Sequence, residues 1–555
     1  MDGSPRHAMP RPPHKVMRLA RMGSTHPSRL SFMRIMLRRL EAENWKVDRP
    51  VWEIDRKGVG RAVYRVTTPE RCYSLVAFAH DLPDELRSDR VIAEAWDATF
   101  ALFDGEPCAK DLDRLSQNVP LQEAGRMQGS ELTLSRANRS VRMFGHVVDC
   151  LAEGRQPEAS QLDRVGYLMR TTAVYGSGKF GLSDREAIAE RPELNAPFQA
   201  EMLTVWLIRA FTVDIVEHLA QAKSADAVAL DPVLRRRLGV GNSTGLGMAP
   251  FLLNHPVLIH NWFAAREQAL ARVRGEPVTE ETWDHFLRVV AHAHAGVASW
   301  LTEHPYQVAK LEALDADLSR LQTWLAMMHW REASWDALWL KGEAALSIEG
   351  QEMLLSLLLE PHGTLVDSLA SELAADEAMS FPIDARQTVG SLRETIETLY
   401  DWVAGLDWSR KEAQARLWYT SAEKLEPRLG DRADLELDAY EQPLGPARDV
   451  AALSDTLAAW PVETPLAQVL AASPEHRHTV RRVQIVAAHP YGEVRDNTLA
   501  AEMVPIDLLR AKLAFFGASR FDPRSDLWLR ISMFQGAPIP QDVGCSGLDN
   551  WMYGP

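Results

Sequence analysis

The sequence predicts a mainly α-helical fold of the α+β class: a large helical body carrying a small antiparallel β-sheet made by strands from both chain ends. Three observations predict it. Apolar residues recur at helical spacing from about residue 87 to 470. Two-residue alternation marks residues 51–79 near the N-terminus. Apolar, β-branched runs return near the C-terminus at 480–488 and 526–534. The expected organisation is a disordered extension (1–16), a basic helix with a β-meander (17–86), a helical body (87–475) and a C-terminal region (476–555) whose strands complete the sheet and whose tail docks.

The 555 residues, 46% hydrophobic and 25% charged, suit a chain that buries a full core without metals or disulfides. The four cysteines, Cys72, Cys108, Cys150 and Cys545, form no paired spacing, which points to a reducing, cytoplasmic setting. No apolar run reaches the roughly 18 residues of a membrane span, and no leader pattern opens the chain. Net charge is −15, yet residues 1–45 hold nine Lys/Arg against three Asp/Glu. The remainder is therefore strongly acidic, which argues against a nucleic-acid binder.

Taken in order, residues 1–16 are Pro- and His-rich and lack an apolar period, so disorder is expected. Ser28 to Glu43 reads as a basic amphipathic helix with Ser28 as N-cap. Val51–Asp55, Arg61–Thr67 and Cys72–Ala79 read as a three-stranded antiparallel meander with one solvated face. Residues 89–103 read as an amphipathic helix. Further helices are expected over 138–152, 198–222, 256–273, 280–302, 306–329, 348–360, 364–375, 391–404, 409–424 and 446–459. Val480–Ala488 and Asp526–Phe534 are the expected late strands, joining the meander.

Two Gly-rich segments stand out. Tyr175–Gly181 precedes a capping pattern at Ser183–Glu186, and Gly176, Ser177, Gly178 and Lys179 would present amides and charge to an anion, with Arg170 nearby. The phosphate-loop pattern fails, because Ala173 and Phe180 stand where Gly and Ser/Thr are required. Gly239–Gly247 has four glycines in nine residues, and Asn242, Ser243 and Thr244 there could orient a substrate. Gly241-x-Ser243-x-Gly245 also fits a serine-nucleophile pattern, but the basic stretch before it does not read as a buried strand. His255 and His260 follow, and His255 could move a proton. A third segment, His489–Asn497, crowds His489, Tyr491, Glu493 and Arg495 after an apolar run, and Arg520 follows later. A structural ion pair is the plain alternative for Glu493 and Arg495.

Other candidates are weaker. His285, His292 and His294 share one helical region but diverge around it, so no metal site is expected. Six tryptophans between Trp283 and Trp339 suit a core or a subunit interface better than an aromatic cage.

The reading that joins these motifs is an enzyme acting on a small anionic metabolite, a carboxylate or phosphate ester, by acid–base chemistry. His255, His489, Glu493 and Tyr491 would be catalytic, and the two Gly-rich loops with Arg170, Arg495 and Arg520 would bind substrate. No sequence feature specifies an organic cofactor. A homo-oligomer is expected from the Trp-rich helices and the tail. The alternatives are a non-catalytic scaffold and a serine hydrolase using Ser243.

Overall fold

The computed structural model describes residues 8–86, 95–123, 126–176, 178–179, 182–183, 190–245, 253, 255–298, 300, 305–373, 382–408, 418–420, 425–427, 446–495, 504–518, 522–525 and 528–543. Its centre is one mixed, curled sheet of nine strands. The strands are β1 (Lys46–Ile54), β2 (Gly60–Thr67), β3 (Cys72–Ala79), β4 (Ala98–Asp104), β5 (Glu131–Arg139), β6 (Tyr167–Gly176), β7 (Gly239–Gly245), β8 (Asp522–Ser525) and β9 (Trp528–Met533). They lie in the order β1-β2-β3-β4-β5-β6-β7-β9-β8. Pairing is antiparallel except between β6 and β7, which run parallel.

The sheet corrects the expected fold. The N-terminal meander exists, but it continues through β4, β5 and β6 in a region read as helical. The late hairpin pairs with β7 at the opposite edge and never reaches the meander. Residues 98–103 are all buried, so β4 is apolar on both faces and shows no alternation to distinguish it from a buried helix. The expected solvated face is also covered: Val63, Val76, Phe78 and Leu134 pack with Leu112 and Leu115 of α2 (Ala109–Asn118).

The other face carries a long helix. Before it in the chain come α1 (Phe32–Ala42) and α3 (Met143–Ala152). The long helix itself is α4 (Gln199–Lys223), which touches β3 through β7. Trp206, Phe211 and Ile215 of α4 are fully buried. Its Thr204 hydroxyl shares a 2.7 Å hydrogen bond with Thr133 of β5, which satisfies both polar groups in the core.

The helical half comprises α5 (Pro256–Gly275), α6 (Glu280–Val297), α7 (Pro305–Ala326), α8 (Trp335–Ala345) and α9 (Ile348–Leu359). From Glu349 onward every residue of α9 is buried, including Glu349, Gln351 and Glu352. Trp283, Trp335 and Trp339 are core residues, as aromatic packing predicts. A smaller helical group has its own core: α10 (Val389–Leu399), α11 (Pro446–Ala458) and α12 (Arg477–Ala488). Here the expected strand over 480–488 is a helix, because Val480, Val483 and Val486 fall three apart and share one buried face. Last comes α13 (Val504–Phe516). Of the helix expected over 409–424, residues 418–420 form a short strand paired with 425–427, and the rest lies outside the described residues.

The N-terminus differs most from expectation. Residues 8–16 are ordered, and Arg11 is 4% exposed. Helix α1 begins at Phe32 with Ser31, not Ser28, as its N-cap residue, and Arg34 is buried against Glu360 at 2.6 Å. The cations of the basic arm therefore serve interior carboxylates. Among the described residues no helix is long and apolar enough to cross a membrane.

Candidate functional site

The structure brings the two Gly-rich segments together, but as strands. Gly176 ends β6 opposite Thr133, while Gly178 and Lys179 pair with Ser183 and Leu182. Asn242, Ser243 and Thr244 lie in β7 opposite Ile531, Arg530 and Leu529. Buried Arg170 of β6 stands beside Gly241. Ser177 and Arg520 lie outside the described residues. A Cβ on Gly239 would sit 2.3 Å from the Met533 carbonyl oxygen, and one on Gly241 2.5 Å from the Tyr167 ring. Close packing thus explains these glycines. Ser243 sits within a strand, whereas a nucleophile elbow requires a sharp strand-to-helix turn. Gly239→Ala should destabilise the fold by about 1–3 kcal/mol, the usual cost of overpacking, as read from urea unfolding.

The expected catalytic residues gather at a second place, where the start of α5 meets the end of α12. His255 is the N-cap residue of α5, and His489 ends α12. The His260 and His489 rings stand 5.0 Å apart edge to face, and the Tyr491 amide donates to His260 Nδ1 at 3.1 Å. The Tyr491 hydroxyl donates to the Arg11 carbonyl at 2.6 Å. Glu493 is spent as a structural partner: it accepts from Arg482 at 2.6 and 2.8 Å and from Tyr400 at 2.7 Å. Arg495 donates to Asp401 and holds the arm, with its amide on Met17 and its carbonyl accepting from Leu19. The ion-pair reading of this segment is the one the geometry carries.

His260 has a testable consequence. Burial, reinforced by the charge of His489, pushes its pKa down to about 4. The folded state therefore binds fewer protons than the unfolded state below the ordinary histidine value of about 6.5. Stability should fall as pH drops from about 6.5 towards 4. In His260→Gln, whose amide oxygen can still accept from Tyr491, urea midpoints should fall less over that window.

A cavity with converging polar groups lies elsewhere, between α13, the first turns of α7 and the segment before α1. It has a volume of about 50 Å3, and its walls include Thr25, His26, Trp300, Gln307, Arg510 and Ala514. One water needs about 10–15 Å3 on this measure, so the space suits a small head group. Three elements meet there: the strap between Met22 and α1, the first turns of α7, and α13.

The polar groups form a connected set. Glu349 of α9 accepts from Arg510 Nη1 at 3.2 Å and from its second terminal nitrogen. His26 Nε2 approaches the same carboxylate at 3.0 Å, and its ring stacks on Trp300 at 6.0 Å. Asp507 accepts from Lys310 at 3.0 Å and from the Tyr306 hydroxyl at 2.7 Å. Gly23 allows that approach, since a Cβ there would lie 2.1 Å from Asp507 Oδ1. Gln307 is 4% exposed, and its Nε2 has no hydrogen-bond partner among the described residues.

No family model matches this chain, and no curated protein or solved structure is detectably similar to it.

Burial outweighs the pull of Glu349 and lowers the pKa of His26. Burial, together with the charge of Arg510, lowers that of Lys310, and burial raises that of Asp507. Burial alone would raise Glu349, but Arg510 and His26 hold it well below the usual carboxylate range. Groups with displaced proton affinities around one cavity are a recognised mark of a functional site. Sequence reasoning missed all of them. His26 and Arg510 are 484 positions apart, and no local motif links them.

Proposed function

We propose that the protein is an enzyme acting on a small anionic metabolite, a carboxylate or phosphate ester, whose head group enters the His26–Arg510 cavity. The observation that carries this reading is the buried amide nitrogen of Gln307, without a partner among the described residues, on a residue that lines the same cavity as Arg510. An orphaned buried donor costs about 1–3 kcal/mol, and an acceptor entering the cavity would remove that cost. Arg510 and Gln307 would bind the anion. His26, whose pKa burial lowers, would take the proton. Free Cys72, Cys108 and Cys150 suit a cytoplasmic setting.

The scaffold alternative predicts a contiguous exposed apolar patch and no polar cavity. The large exposed apolar side chains among the described residues, such as Met9, Val141, Val233 and Val462, fall on separate elements.

The test is a thermal-shift screen of carboxylates and phosphate esters on wild type and Gln307→Leu. A ligand at about 100 times its Kd should stabilise wild type by roughly 2.7 kcal/mol. The variant, relieved of an orphaned donor, should melt at or above the wild-type temperature without ligand yet lose the ligand shift. A panel that shifts neither protein, or both equally, overturns the reading.

A further inference from the structure

Arg11 occupies a socket that is separate from the His26 cavity. Its guanidinium donates to Glu267 of α5 through Nε at 2.8 Å and Nη2 at 2.7 Å. It also donates to Glu352 of α9 through Nη1 at 2.7 Å and Nη2 at 3.3 Å. The carbon of the guanidinium lies 5.2 Å from the centre of the Trp339 ring. Glu267, Glu352 and Trp339 are all at most 1% exposed. Two bidentate carboxylates and an aromatic ring match a planar, delocalised cation and fit lysine poorly.

The backbone that delivers this side chain is superficial. Met9, Pro10, Pro12 and His14 are exposed around buried Arg11. Pro12 is extended, with φ −69° and ψ 148°. The Arg11 carbonyl is held by the Tyr491 hydroxyl. The segment turns helical only at Pro13–Val16, and a proline-flanked stretch, extended at Pro12, that inserts one side chain into a pocket is a way peptides are recognised in trans.

The carboxylates of the socket have other partners besides its occupant. Glu352 has two further partners, Arg21 at 2.7 Å and Arg266 at 2.6 Å, and Arg266 stands 3.6 Å from Glu267. With Arg11 withdrawn, two carboxylates still face two arginines, so no uncompensated anion is left in the core.

We infer that this socket is an arginine-recognition site for an extended, proline-flanked peptide, filled in the resting chain by its own N-terminal arm. The arm competes in cis at high effective concentration, so an outside peptide binds only when the arm is displaced or disabled. This inference does not depend on the proposed enzymatic function.

The test uses full-length Arg11→Ala and a synthetic peptide spanning residues 8–16, followed by calorimetry. The variant should bind this peptide at least about tenfold more tightly than the same peptide with citrulline at position 11, because the lost charge leaves buried carboxylates less well paired. Wild type should bind it at least about tenfold more weakly than the variant, since its own arm competes. Binding no tighter than that of methylguanidinium, or none by a folded variant, overturns the inference. If Arg11→Ala does not fold, the peptide is titrated into wild type, and amide exchange of residues 8–16 must rise with its concentration. Unchanged exchange overturns the inference equally.

Discussion

Glu352→Gln is expected to cost about 3–5 kcal/mol of folding stability, the usual effect of removing one partner from a buried ion pair. The side chain is 1% exposed and faces Arg11, Arg21 and Arg266 at 2.7, 2.7 and 2.6 Å. Without it, Arg11 and Arg266 share Glu267, and Arg21 keeps only the Gln351 amide oxygen at 3.1 Å. A domain's total stability is about 5–15 kcal/mol, so the variant should be near unfolding at room temperature, as urea titration followed by circular dichroism would show. A second substitution checks the electrostatic origin. Glu352→Gln with Arg11→Met restores the net charge of the cluster and should recover part of the loss; a double variant no more stable than the single one would mean packing dominates. The same carboxylate predicts acid sensitivity. Burial alone would raise its pKa, but Arg11 and Arg266 hold it well below the usual carboxylate range. Its contribution is therefore complete above the ordinary glutamate value of about 4.3 and fades as pH falls below it. Glu349 behaves alike, so unfolding should steepen below that pH.

Arg209→Leu should cost at least about 3 kcal/mol, because it strips donors from several buried carbonyls at once. The side chain is 1% exposed and projects from α4 without meeting a carboxylate in any of its hydrogen bonds. It donates to the carbonyls of Leu238 at 2.5 Å, Ala537 at 2.8 Å, Pro538 at 3.1 Å, Arg236 at 3.1 Å and Arg235 at 3.3 Å. One cation thus ties the entrance of β7 and the exit of β9 to α4. Amide exchange in β7 and β9 should accelerate more than exchange in β1 to β3. Uniform acceleration would show that the loss is global and that Arg209 does not anchor this edge.

Several elements were legible in the chain. The meander β1 to β3 follows from alternation and turn residues, and α4, α5, α7 and α9 lie close to their expected ranges. The remaining strands were not. β4 is buried from Ala98 to Phe103 and mostly apolar because both of its faces are covered. β7 reads as a glycine loop because Tyr167 and Met533 leave no room for side chains. Of the expected catalytic residues, His489 and Tyr491 stand against His260, while His255 is placed only as the N-cap residue of α5. Glu493 is bound by Arg482 and Tyr400, a pairing whose α10 side no local pattern announces.

By itself, the sequence determined what depends on near neighbours: the helical spacing of the body, the N-terminal alternation, and the excess of basic residues in the first 45. Only the tertiary structure decided where those basic residues spend their charge. Arg11, Arg21 and Arg34 look like a solvated basic arm when read along the chain, yet their partners Glu352 and Glu360 lie more than 300 positions away. The physical reason is that burying a charge is favourable only where an opposite charge is already in place. That place is set by the packing of α9 against the arm, which no window of local sequence contains.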